Sequence, residues 1–202
     1  MSNIIGIVDY GIAGNLYSIQ KAIEQAGGLV KIISNEQDFY IVDKIVLPGV
    51  GSFKDAMIRF SKDNFLEILK TSIAIKPTLG ICLGMQLLCK FGFEHGKTDG
   101  LGMISGEVQP LLIDEKLPHM GFNKICVIKP NKLLKGIENE EFYFMHSYEV
   151  INLDNVIATT KYADRSFVSA ILKDNIYGVQ FHPEKSKEPG IQLFRNFISL
   201  GE

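Results

Sequence analysis

The chain has 202 residues, 46% of them hydrophobic, with 21 Lys and Arg against 23 Asp and Glu for a formal net charge of −2. That length suits one α/β domain with a full core, and charge this balanced excludes the basic stripe that a nucleic-acid surface needs. No stretch approaches the roughly 18 uninterrupted apolar residues of a membrane span. Met1-Ser2-Asn3-Ile4-Ile5-Gly6 also lacks the charged start and long apolar core of a signal peptide. The expectation is a soluble, cytoplasmic, single domain over residues 1–202.

Ile4–Val8 is a short apolar run that reads as a buried strand, and Gly11-Ile12-Ala13-Gly14-Asn15 as a turn and helix entry. Leu16, Ile19, Ile23 and Ala26 keep helical spacing until Gly27-Gly28 ends the helix. Residues 29–33 and 45–47 are further strands, the second broken by Pro48-Gly49-Val50-Gly51. Ile58, Phe65, Leu66 and Leu69 mark helical material before Lys76-Pro77. Residues 78–81 form another strand that runs into Cys82, and 85–91 continue as a helix. This alternation predicts an α/β fold, a mostly parallel central sheet with helices on its faces. Chemistry in such sheets gathers at the carboxyl ends of strands, where 49–51 and Cys82 both fall. From Gly100 the pattern becomes short strands at 107–113, 124–128, 142–145, 156–160, 167–172 and 177–181, giving a partly antiparallel second half. Pro189-Gly190 opens a last helix with a stripe of Leu193, Phe194, Phe197 and Leu200.

Three cysteines, Cys82, Cys89 and Cys126, are too few for a disulfide scaffold. Were Cys82 and Cys89 on one helix, their Cα atoms would stand about 10 Å apart at ~1.5 Å rise per residue, beyond the roughly 7 Å limit for a bridge. Reduced thiols are expected, with Cys89 and Cys126 in the core.

Gly80-Ile81-Cys82-Leu83-Gly84 has the form of a nucleophile elbow, a sharp strand-to-helix turn with small residues beside the nucleophile. A thiol at a helix N-terminus meets unpaired backbone N–H groups, which favour the thiolate. The N–H of Leu83, next after the nucleophile, would point at an oxyanion. In His182-Pro183-Glu184 the proline holds its neighbour extended, so His182 and Glu184 face one side and the carboxylate can orient the imidazole. Gly49-Val50-Gly51 offers further backbone N–H groups at a strand end. Each feature has an ordinary alternative: a buried structural cysteine, a surface histidine, a plain strand-to-helix loop. Together they describe a Cys-His-Glu triad and acyl transfer through a thioester. No dinucleotide or Walker A spacing occurs, and His95, His119, His146 and His182 show no ligand spacing, so neither a cofactor nor a metal ion is expected.

Gly80-Ile81-Cys82-Leu83-Gly84-Met85-Gln86-Leu87-Leu88 with Gly178-Val179-Gln180-Phe181-His182-Pro183-Glu184 resembles the class I (triad) glutamine amidotransferases. Four more stretches resemble, within that family, the glutaminase subunits of imidazole glycerol phosphate synthases. They are Asp9-Tyr10-Gly11-Ile12-Ala13-Gly14-Asn15-Leu16, Leu47-Pro48-Gly49-Val50-Gly51-Ser52-Phe53, Pro118-His119-Met120-Gly121-Phe122-Asn123 and Met145-His146-Ser147-Tyr148. The resemblance implies a flavodoxin-like fold and hydrolysis of L-glutamine to glutamate and ammonia. It implies delivery of that ammonia, within a heterodimer, to a (β/α)₈-barrel cyclase that makes imidazole glycerol phosphate and AICAR from PRFAR in histidine biosynthesis. Cys82 then matches the nucleophile, His182 the base, Glu184 its orienter, and Gly49, Val50, Gly51 and Leu83 the oxyanion site. Gln86, Glu94, Ser147 and Tyr148 match substrate-binding positions; Phe122, Asn123, Tyr143 and Lys185 match partner-facing ones.

Two departures stand out. Phe122 replaces the family's usual tryptophan, which removes an indole donor, and the segment around Glu94 departs from the usual acidic pattern. Three other readings stay open at this point: a paralogue feeding a sugar-amidinating synthase, a stand-alone cysteine peptidase or γ-glutamyl hydrolase, and a catalytically silent docking subunit.

Overall fold

A computed structural model describes residues 3–11, 15–62 and 64–201; the expected turn at 12–14 and the Met1-Ser2 start lie outside them. In chain order the elements are β1 (Ile4–Val8), α1 (Leu16–Gln25), β2 (Leu29–Ile33), β3 (Lys44–Leu47), α2 (Phe53–Phe60), α3 (Phe65–Ile75), β4 (Thr78–Ile81) and α4 (Leu83–Leu87). Then follow β5 (Phe91–Gly92), β6 (Thr98–Asp99), β7 (Glu107–Pro110), β8 (His119–Val127), β9 (Glu141–His146), β10 (Tyr148–Ile151), β11 (Val156–Tyr162), β12 (Arg165–Lys173), β13 (Ile176–Val179) and α5 (Lys187–Ile198). Short 3₁₀ turns occupy Glu36–Tyr40 and Pro183–Lys185.

The main sheet has nine strands in the order β2-β1-β3-β4-β13-β12-β11-β8-β9. The first five are parallel, and every pairing from β13 to β9 is antiparallel. The parallel first half and the antiparallel strands β8, β9, β11, β12 and β13 of the second half therefore form one continuous sheet. Strand alternation divides the core between its faces. Ile5, Ile7, Val46, Leu79 and Ile81 pack with α1 and α5 through Ile19, Ile23, Phe194 and Phe197. Val8, Ile45 and Leu47 pack the other way with Phe53, Phe60, Leu69, Ile73 and Leu87 of α2, α3 and α4. A second sheet, β10-β7-β5-β6, lies beside α4; its two-residue strands β5 and β6 are too short to show any periodicity in sequence.

Three expectations need correction. The helix read over 85–91 stops at Leu87: Cys89 N–H bonds back to Gln86, Lys90 N–H bonds to Gly106, and the chain enters the second sheet. The helical material of 58–69 is two helices, α2 and α3, the first capped by Ser52, whose hydroxyl accepts from Asp55 N at 3.3 Å. Cys126 is exposed, not core, because alternation along β8 turns Ile125 inward and Cys126 outward; Cys89 is buried as expected. No helix among the described residues is long and apolar enough to cross a membrane.

Candidate active site

β4 and β13 are parallel neighbours in register, with Ile81 beside Val179. Cys82 and Gln180 therefore leave the sheet together, and Cys82 N–H donates to Val179 O at 2.7 Å. Distant parts of the sequence converge here because both strands run to the same edge. Cys82 has φ 49° and ψ −106°, a conformation that costs a non-glycine residue about 1–3 kcal/mol. It caps α4, whose first turn closes through Gln86 N–H to Cys82 O at 3.1 Å. The flanking glycines allow the tightness of the turn. A Cβ on Gly84 would lie 2.1 Å from the Leu47 carbonyl oxygen, and one on Gly80 would lie 2.6 Å from Met85 N. Gly84→Ala is expected to destabilise the fold by about 1–3 kcal/mol, as overpacking does; the urea midpoint checks this.

His182 is fixed by backbone bonds at the end of the next strand. Its N–H donates to Tyr143 O at 2.8 Å, and its carbonyl accepts from Ser186 Oγ at 2.6 Å. Its Nδ1 and Glu184 Oε1 are 2.7 Å apart, and both side chains are fully buried. The same carboxylate oxygen accepts a 2.7 Å bond from Asn15 Nδ2, and Asn15 is itself buried. Burial lowers the pKa of the His182 ring, but Cys82 and Glu184 outweigh it and raise the ring to about 10. Its Nε2 is buried without a closed hydrogen bond; such bonds are often long before substrate arrives. The Cys82 thiol also accepts from Gln180 Nε2 at 3.5 Å and stands 3.8 Å from Met145 O.

Beside the thiol lies a cleft of ≈ 260 Å³ lined by Gly49, Val50, Gly51, Cys82, Leu83, Gln86, Glu94, Pro118, Met145, His146, Ser147 and Tyr148. All the expected oxyanion and substrate positions are among them. A Cβ on Gly49 would lie 2.1 Å from Ile81 O and 2.9 Å from Cys82 Cβ, so only glycine lets this loop lie against the elbow. Gly51 has φ +109°, again glycine territory. Tyr10 Oη donates to Pro48 O at 2.6 Å and anchors the loop; burial, with the charge of Cys82 behind it, holds that phenol well above its usual pKa. Glu94 Oε2 accepts from Phe53 N at 2.8 Å and so ties the cleft to the start of α2. Gln86 Nε2 lies 3.1 Å from Gln180 Oε1 and 3.3 Å from Tyr148 O.

Of the expected partner-facing residues, Phe122 and Tyr143 sit edge to face with centroids 5.5 Å apart, and Lys185 Nζ is 5.6 Å from the Tyr143 ring. Asn123 is turned to the opposite face of β8, where Nδ2 stands 2.7 Å from His119 Nε2. Asn15, Gln180 and His146 were missed as site residues by sequence reasoning. All three lie inside the motif stretches, but no spacing rule links them to the triad. Among the described residues no cluster of three His, Cys, Asp or Glu could hold a metal ion.

The chain is similar to known proteins of one family. A family model for "Glutamine amidotransferase class-I" matches residues 7–200. The chain is 44% identical over 202 residues to "Imidazole glycerol phosphate synthase subunit HisH 1" of Campylobacter jejuni strain RM1221, covering 98% of this chain and 100% of that one. It is likewise 44% identical over 201 residues to "Imidazole glycerol phosphate synthase subunit HisH" of Methanocaldococcus jannaschii, with 98% and 100% coverage. Its fold is similar to that of PurLQS from Thermotoga maritima, with a TM-score of 0.73 at 18% identity over 98% of each chain.

Proposed function

Because the chain belongs to the class I glutamine amidotransferases, we propose that it is the glutaminase subunit of an imidazole glycerol phosphate synthase, acting as one domain in the cytoplasm. In this reading it hydrolyses L-glutamine to glutamate and ammonia. The ammonia passes to a (β/α)₈-barrel cyclase bound as a heterodimer, which converts PRFAR to imidazole glycerol phosphate and AICAR. The observation that carries the reading is the convergence of Cys82, His182 and Glu184 beside a cleft lined by Gln86, Glu94, Ser147 and Tyr148. Near-full-length relatives named for this subunit support it.

The chemistry follows from the charges. With His182 raised to about 10, the imidazole holds its proton at neutral pH beside Cys82. The sulfur attacks the side-chain carboxamide carbon of glutamine. Backbone N–H groups of the 49–51 loop and Leu83 take the oxyanion. His182 gives its proton to the departing ammonia, leaving a γ-glutamyl thioester on Cys82. The ring then accepts a proton from water, whose oxygen attacks the thioester; glutamate leaves and the thiol is restored. Glu184 holds the ring in the orientation and tautomer both steps require.

Hydrolysis without an acceptor wastes glutamine, and the glycine pair at the oxyanion loop allows its peptides to reorient at little cost. The isolated chain is therefore expected to release ammonia slowly. The acceptor-loaded partner should raise kcat on the order of 10²–10³-fold, the worth of one oxyanion donor. Coupled assay of glutamate formation with and without the cyclase and PRFAR checks this. Fast hydrolysis by the chain alone would favour the stand-alone hydrolase, and none in any complex would favour a silent docking subunit. Phe122, in place of the family's usual tryptophan, leaves one partner to be tested against the cyclase, a sugar-amidinating synthase. PRFAR-dependent activation decides between the two.

A further inference from the structure

A line of hydrogen bonds runs from the partly exposed side chain of Asn123 into the cleft. Asn123 Nδ2 is 2.7 Å from His119 Nε2, His119 Nδ1 is 3.0 Å from His146 Nε2, and His146 Nδ1 is 2.8 Å from the Tyr148 carbonyl oxygen. Among the described residues none of these three side chains hydrogen-bonds to Cys82, His182 or Glu184, and the reaction scheme above uses none of them.

Donor and acceptor roles along the line follow from its end. A carbonyl oxygen only accepts, so His146 Nδ1 carries a proton. Burial holds both rings neutral, His119 at about 4 and His146 at about 3. A neutral His146 protonated on Nδ1 presents a lone pair at Nε2, so His119 must donate from its own Nδ1. His119 Nε2 is then an acceptor, and the Asn123 amide nitrogen supplies its proton. Every ring nitrogen in the series is matched in this one arrangement. Reversing any member sets two donors or two lone pairs against each other at about 3 Å. His119 is fully buried and stacks on Tyr162 at 3.9 Å between centroids and on Phe144 at 5.1 Å, so the ring cannot tilt to escape a mismatch.

The receiving end is a wall of the cleft. Ser147 is a bend between β9 and β10, and its carbonyl accepts from Leu111 N at 2.9 Å. The next carbonyl, that of Tyr148, takes His146 Nδ1 and also lies 3.3 Å from Gln86 Nε2. Of two consecutive carbonyls in this wall, one is thus held by Leu111 N and the other by the His146 ring together with Gln86. We propose that Asn123, His119 and His146 form a positioning relay that holds the Ser147–Tyr148 peptides in the orientation that binds glutamine. These are positioning residues, since they act through the backbone of the wall. The proposal rests on the glutaminase reading.

Two measurements test it. In the complex with the cyclase, His119→Phe keeps a ring against Tyr162 and Phe144 but leaves His146 Nε2 without a donor. It is expected to raise KM for glutamine roughly ten-fold while kcat changes by less than about two-fold, as for lost ground-state positioning. His119→Asn places an amide nitrogen near the site of Nδ1 and is expected to recover most of that rise. Long-range proton–nitrogen spectra of the unaltered chain are expected to show both rings neutral and protonated on Nδ1 near neutral pH. This second measurement needs no variant to fold. An Nε2-protonated His119, an unchanged KM in folded His119→Phe, or equal losses in the two variants overturns the relay. If the unaltered complex releases no ammonia from glutamine, the glutaminase reading fails instead, while the spectra still judge the hydrogen-bond series.

Discussion

Replacing Cys82 with alanine is expected to lower kcat for ammonia release in the cyclase complex by about 10⁶-fold, the scale seen when a covalent nucleophile is removed from a working triad. No other group can take its place. Cys89 is buried, its thiol pushed far up in pKa by that burial, and it is bonded to Met85 O. Cys126 is exposed on β8. Cys89→Ser and Cys126→Ser should therefore keep glutaminase activity, and a glutamine-analogue electrophile should label Cys82 alone. Steady-state glutamate formation and peptide mapping of the labelled chain provide both readouts. Retention of activity in Cys82→Ala would falsify the thioester mechanism outright.

The second large effect belongs to Glu184. Its Oε1 accepts from both His182 and Asn15, so one atom fixes the ring and is itself fixed. In Glu184→Gln the amide oxygen can keep the place of Oε1, but the negative charge facing the ring is lost and an NH₂ group enters the buried, partnerless site of Oε2; the equivalent change costs about 10⁴-fold in kcat in the analogous serine triad. The pH profile carries an independent sign. Glu184 is one of the two groups that raise the His182 pKa to about 10 against burial. Its neutralisation must lower that value, so the alkaline limb of kcat/KM, where the proton meant for ammonia is lost, moves to lower pH. Asn15→Ala removes one donor and leaves the carboxylate in place, so a smaller loss of roughly ten-fold is expected. A limb that stays in place in Glu184→Gln would show that the carboxylate does not govern the ring.

The triad was legible in the sequence because elbows and proline-fixed turns are local. Gly80 and Gly84 mark the elbow whatever surrounds it, and Pro183 sets the backbone on which His182 and Glu184 sit. The length of α4 was not legible: Leu88 and Cys89 continue the apolar pattern of a helix, and only Gly106 and the second sheet show why the chain turns away. The exposed position of Cys126 was hidden for a similar reason, since a sulfur in an apolar strand reads as core until the uncovered face of β8 is seen.

Residue order alone determined the α/β alternation, the elbow, and the identity of sulfur, imidazole and carboxylate, since each depends on contacts within a few residues. Tertiary structure alone decided that Asn15 holds Glu184, that Gln180 reaches the thiol, and that Asn123 turns toward His119 and not toward Phe122. Those choices come from the parallel register of β4 with β13 and from the pleat of β8. The first brings together groups far apart in the chain, which no spacing encodes; the second turns His119 and Asn123, four residues apart, to one face of their strand, where the bond depends on the surrounding rings.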